Sequence, residues 1–159
     1  GMFDENLFLY HDDVDYSWRL RLMSYKVACV VDAKAYHWGS ATLGSKNPYY
    51  FYFLIRNNIW VTAKNSSLAW FLLRLFIMLI EVLVSFFGYM LLKRKDVKTA
   101  LLILRAILEG LINLRIAFSK RDNVMKSRKI KEINRFMSIL IDLDLVFPKT
   151  LRRILRLRL

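Results

Sequence analysis

The stretch 68–92 carries only two charged side chains, Arg74 and Glu81, in an otherwise apolar run. About twenty such residues cross a bilayer as a helix. Whatever this chain folds into must therefore bury that run in protein or immerse it in lipid. Arg74 and Glu81 lie seven apart, on one face of a helix, and Ser85 and Gly88 continue the same line. A spanning helix hides such a stripe against a partner. An interfacial helix shows it to headgroups. Both readings stay open on sequence. Lys93-Arg94-Lys95 ends the run in the manner of a cytoplasmic flank.

The residues around this run divide by charge. Residues 1–64 hold seven Lys/Arg against six Asp/Glu, net +1, and residues 65–159 hold nineteen against seven, net +12. Hydrophobic residues make up 56% of the chain, above the usual share for a soluble domain. Such apolarity joined to a charge of +13 points to an anionic partner, lipid or nucleic acid. The cations alternate with long aliphatic runs instead of forming a polar basic face, and no nucleic-acid motif occurs. Anionic membrane lipid is the expected partner, and nucleic acid is not. We expect two regions: 1–64, and a basic, membrane-associated helical tail, 65–159.

In the tail, 99–118 predicts a helix with Arg105, Glu109 and Asn113 in an i, i+4 line. Residues 120–135 are basic and polar. Residues 136–147 are apolar, interrupted by Asp142 and Asp144, and Pro148 ends them. Residues 150–159 (TLRRILRLRL) form a basic amphipathic end.

In the first region an apolar run, Leu7-Phe8-Leu9-Tyr10, leads to His11-Asp12-Asp13-Val14-Asp15. The acids precede a helical pattern ending near Ser24-Tyr25, where they fit the cap and first turn. Lys26–Val31 (KVACVV) and Ala33–Trp38 (AKAYHW) predict two short strands. A loop follows over 39–44, then an aromatic helix over 48–64 containing Arg56-Asn57-Asn58. Asn65-Ser66-Ser67 marks a boundary and is a glycosylation sequon, relevant only in a secretory compartment. A single cysteine, Cys29, excludes an internal disulfide or a multi-thiolate zinc site and is compatible with a reducing compartment. The acid-rich opening is not a signal peptide, and the chain is expected to begin inside a domain.

On spacing alone the acids read as caps, and His37 as a structural or exposed side chain. Residues 1–44, however, resemble glycosyltransferase family 2, and its rhamnosyltransferase-like branch in particular. That branch reads Gly-x-Phe-Asp-Glu, an aromatic, Glu-Asp-Val-Asp, Trp-Arg, a Gly-Tyr, a strand, Tyr-His and Gly-Ser. The tyrosine-rich run ending in Arg56-Asn57 is similar as well. Asp12 stands where the family has Glu, and Ser24 where it has a Gly that suits a left-handed backbone.

The resemblance implies an α/β fold, the acceptor-side part of a GT-A domain, over 1–64. The nucleotide-binding half, with its Asp-x-Asp motif, would lie before Gly1, and this chain alone would be inactive. It implies an inverting transfer of sugar from a nucleotide-sugar donor to a saccharide or polyprenyl-linked acceptor. Asp13 would be general base. His37 would help hold a divalent cation, Mn²⁺ or Mg²⁺, that neutralises the departing diphosphate. Asp12, Asp15, Trp18, Arg19 and Arg56 are candidates for binding acceptor or donor, although from the residues alone a packed Trp18 and a solvated Arg19 are the favoured reading, and an Arg placed like Arg56 usually has no such role. The rival readings are a non-catalytic membrane-binding helical protein and, behind it, a nucleic-acid-binding one.

Overall fold

In the computed structural model, residues 2–38, 44, 47–87 and 96–129 are described. After a 3₁₀ turn at Glu5–Leu7 come five helices: α1 (Asp12–Leu22), α2 (Tyr49–Asn65), α3 (Leu68–Phe87), α4 (Val97–Ile112) and α5 (Leu114–Ser127). α2 is the central strut and touches the other four. Its second half, Asn57 to Asn65, is buried without a break. Ile59, Val61 and Ala63 meet Ile103 and Ala106 of α4 and Ala117 of α5 in one apolar core. α2 and α4 approach closely at Gly110, where a Cβ would stand 2.5 Å from Ile59 Cδ1. There the Trp60 indole N–H donates to the Gly110 carbonyl, 3.0 Å.

The α/β expectation is corrected: the described residues contain no strand and no sheet. The segment expected to make two strands, residues 26–38, is solvent-exposed throughout, with Val31 and Trp38 almost fully so. Within it, Ala33 N–H bonds to Val30 C=O in a turn. A β-branched run becomes a strand only when a neighbour takes its hydrogen bonds and one of its faces. Two such runs with nothing to pack on are marginal in water.

The helices fall close to expectation. α1 ends in a Schellman motif: Ser24 N–H bonds to Arg21 C=O and Tyr25 N–H to Leu20 C=O, with Ser24 left-handed at φ +70°. The helix expected over 99–118 is two helices. Asn113 leaves helical geometry (φ −97°, ψ 19°) and its side-chain amide donates to the Glu109 carbonyl, so the chain breaks there and α5 continues through Ser127. The loop at 39–43, the end of the apolar run beyond Phe87, and the elements expected at 136–147 and 150–159 lie outside the described residues.

α3 is inverted relative to a soluble amphipathic helix. Its buried stripe is Phe71, Arg74, Met78 and Val82. Arg74 meets Glu81, two turns on, in a two-pronged ion pair with both N···O distances at 3.0 Å. The exposed positions are all apolar: Leu68, Ala69, Leu72, Leu73, Phe76, Ile77, Ile80, Leu83, Val84 and Phe87. This is one helix long and apolar enough to cross a membrane, and only 22% of its most apolar stretch is covered by protein.

Candidate functional site

The acids of α1 are held by a loop with unusual backbone. Phe8, Tyr10 and His11 all have positive φ, between 57° and 65°. Each such non-glycine residue costs about 1 kcal/mol or more, so the surroundings must impose the conformation. Asn57, fully buried in α2, does so with its amide N–H groups, which donate to the carbonyls of Leu7 (2.8 Å), Leu9 (2.7 Å) and Tyr10 (2.8 Å). Arg56 adds bonds to the carbonyls of Asn6 and Leu7, 3.2 Å each, and its guanidinium lies 4.6 Å from the Trp60 ring. Arg56, a candidate for gripping a diphosphate, is thus engaged in fastening the loop.

Asp15 is completely buried. It accepts from Arg19 Nε (2.9 Å), Lys64 Nζ (2.7 Å) and Asn65 Nδ2 (2.8 Å). Lys64 also meets Asp4 at 2.5 Å, and Asp4 in turn meets Lys120 of α5 at 2.5 Å. A chain of alternating charges, Arg19–Asp15–Lys64–Asp4–Lys120, therefore ties the N-terminal segment, α1, α2 and α5 together. Burial alone would raise the Asp4 carboxyl. Hydrogen bonds from Lys120 and Lys64, the Lys64 charge and the Asn6 backbone N–H outweigh that and hold it well below the usual carboxylate range. Trp18 is 1% exposed and packs into the core, and its indole N–H has no hydrogen-bond partner among the described residues.

Beside this network lies a cleft of about 350 Å³, lined by Met2, Phe3, Asp4, Arg19, Lys64, Lys120 and Asn123 among others. Asp13 is exposed on the first turn of α1, with one carboxylate oxygen accepting from the Val14 N–H at 2.8 Å. Asp12 is half-buried. The residue at the N-cap is His11 and not an acid.

The chain matches no family model, no curated protein and no solved structure.

Of the residues singled out from sequence, the fold gathers Asp15, Arg19 and Arg56, with Trp18, into the packing around α1 and α2. It leaves Asp13 on the surface. His37 is exposed in the segment before residue 39. Among the described residues no three His, Cys, Asp or Glu side chains come together as ligands. The described residues do not by themselves make a seat for a divalent cation. Sequence reasoning missed Asn57, Lys64 and Asp4. The only signal of Asn57 was its place in Arg56-Asn57-Asn58, a polar patch inside an aromatic helix.

Proposed function

We propose that this chain is the acceptor-side part of a sugar transferase of the glycosyltransferase family 2 kind, working on a membrane surface. The observation that carries this reading is the division of labour among the acids of α1. Asp15 is consumed by buried ion pairs, Asp12 is half-buried, and Asp13 alone is exposed, with one carboxylate oxygen on the Val14 N–H, on an element clamped to the bundle. In the reaction implied by the resemblance of residues 1–44, an acceptor O–H gives its proton to Asp13. The freed oxygen attacks the anomeric carbon of a nucleotide-activated sugar. The bond to the diphosphate breaks, with inversion. The reading rests on α1 and its loop and requires nothing of a sheet. The apolar outer face of α3, the basic flank at 93–95 and the net +12 of residues 65–159 support work at the cytoplasmic leaflet on a polyprenyl-linked or saccharide acceptor.

The test is sugar transfer by membranes carrying the product of the intact gene, assayed with labelled nucleotide sugars. Removing a general base costs about 10²-fold or more in rate, so Asp13→Asn should lose transfer to that extent while Asp12→Asn retains most of it. Normal turnover in Asp13→Asn would remove the assignment. A second reading, a membrane-binding helical protein without catalysis, is favoured by the exposed 26–38 segment, which carries His37. Absence of transfer from every donor tried, with membrane binding intact, would select it.

A further inference from the structure

We infer that α3 lies along one leaflet of an anionic bilayer, its apolar face sunk among the lipid chains, and does not cross the membrane. This rests on the membrane part of the proposed function and is independent of sugar transfer.

Length and composition alone permit a crossing. The packing argues against it. At one end of α3, Phe71 meets the Phe118 ring of α5 with centroids 6.0 Å apart. Farther along, Arg74, Glu81 and Ser85 share a small cavity of about 30 Å³ with Phe51, Ile55 and Asn58 of α2 and Ile103 of α4. From Phe71 to Ser85 the helix is therefore laid against the bundle, over about 20 Å at 1.5 Å per residue. A hydrocarbon core is about 30 Å thick, so standing α3 upright would carry α2 and α4, which pack beside it, to the same depth. α4 shows solvent Lys98, and α1, fixed to α2 by Asp15, shows Asp13. Those side chains would then face lipid with no partner, the arrangement membranes select against.

Lying flat removes the conflict. The outer face of α3 enters the boundary between headgroups and acyl chains, where interfacial helices sink about 5–10 Å. The polar backs of α1 and α5 stay in water, and the Arg74–Glu81 pair stays inside the protein. α4, packed beside α3, adds its own exposed apolar positions Leu101, Leu108 and Ile112. Exposed Lys98 on α4, in a region of net +12, matches an anionic headgroup layer. That charge match selects lipid over a second copy of this cationic chain.

The experiment measures depth. In the full chain with Cys29→Ser, single cysteines replace Leu72, Phe76, Leu83 or Phe87, all exposed on one side of α3. Each carries a spin label and is read on vesicles of phosphatidylcholine and phosphatidylglycerol, 3:1. The expected result is four equal depths within a few ångströms. A crossing helix would spread Leu72 and Phe87 over about 22 Å along the membrane normal, with the deepest label between them, and would overturn the inference while leaving the membrane reading intact. No binding to the vesicles would overturn both. Labels shielded from lipid by a cross-linkable second copy would overturn the leaflet in favour of a dimer. As a second line, Phe76→Gln with Ile80→Gln should lower vesicle binding at least tenfold, and Ser119→Gln, on exposed α5, should leave it unchanged. Equal losses in both would count against the face assigned.

Discussion

Asp15→Asn is the substitution that most directly tests the account of the α1 acids. Asp15 was a candidate for binding substrate, and the structure makes it a buried junction between Arg19, Lys64 and Asn65. At an effective dielectric of about 20, each of the two ion pairs, to Arg19 and to Lys64, is worth on the order of 6 kcal/mol of Coulomb energy. Much of that is cancelled by desolvating the ions. What remains decisive is the effect of removing one partner. Asn keeps the shape but leaves Arg19 and Lys64 facing a neutral amide. Losing one partner of a buried pair typically costs 3–5 kcal/mol. Lys64 keeps Asp4, so the expected loss is at the lower end, about 3 kcal/mol. With a urea m-value of about 2 kcal/mol per M, that moves the unfolding midpoint down by about 1.5 M. Urea titration of the detergent-solubilised chain, followed by tryptophan fluorescence, reads this directly. Exposed Asp13→Asn should cost less than about 1 kcal/mol in the same assay. Adding Lys64→Met to Asp15→Asn should cost less than the sum of the two singles, with a coupling of about 1–3 kcal/mol. An Asp15→Asn loss below about 1 kcal/mol, or strict additivity, would refute the junction.

The remaining predictions concern the loop, the helix contact and pH. Ser24→Gly relieves a left-handed residue at an exposed helix end and should stabilise by about 1 kcal/mol; no gain in the urea midpoint would contradict the Schellman end. Gly110→Ala should destabilise by about 1–3 kcal/mol because its methyl meets Ile59 Cδ1. The same change made in an Ile59→Val background, which lacks that carbon, should be tolerated, and equal penalties in both backgrounds would be the contrary result. Because the Asp4 carboxyl is depressed in the folded state, its stabilisation is complete above the unfolded value of about 3.9 and drains away as pH falls below about 4 toward the folded value. The midpoint should fall less steeply below pH 4 in Asp4→Asn than in the unaltered chain; parallel curves would remove Asp4 from the network's pH response.

What could be read from the sequence was what depends on near neighbours. Residue spacing places α2 within a residue of its observed ends, Tyr49 and Asn65, and puts Arg74 and Glu81 on one face of α3. The position expected to want a left-handed backbone, Ser24, has one. Contacts between distant residues were not legible. Asp15 finds Lys64 and Asn65 about fifty positions away, Asn57 reaches back to Leu7, and nothing local in either residue announces the partner. The runs at 26–31 and 33–38 failed as strands for the complementary reason: their β propensity is local, but a sheet is a property of partners. The break at Asn113 was missed because the apolar period runs on through it, while the side-chain amide that takes the Glu109 carbonyl is invisible to periodicity.

The two-turn reach between Arg74 and Glu81 has a consequence for how the protein is made. Both charges belong to α3, so each has its counter-ion as soon as the helix itself exists, before the ribosome has added Ile103 or any of α4. A helix of this kind carries its own charge balance, and what its neighbours supply is shelter and not charge.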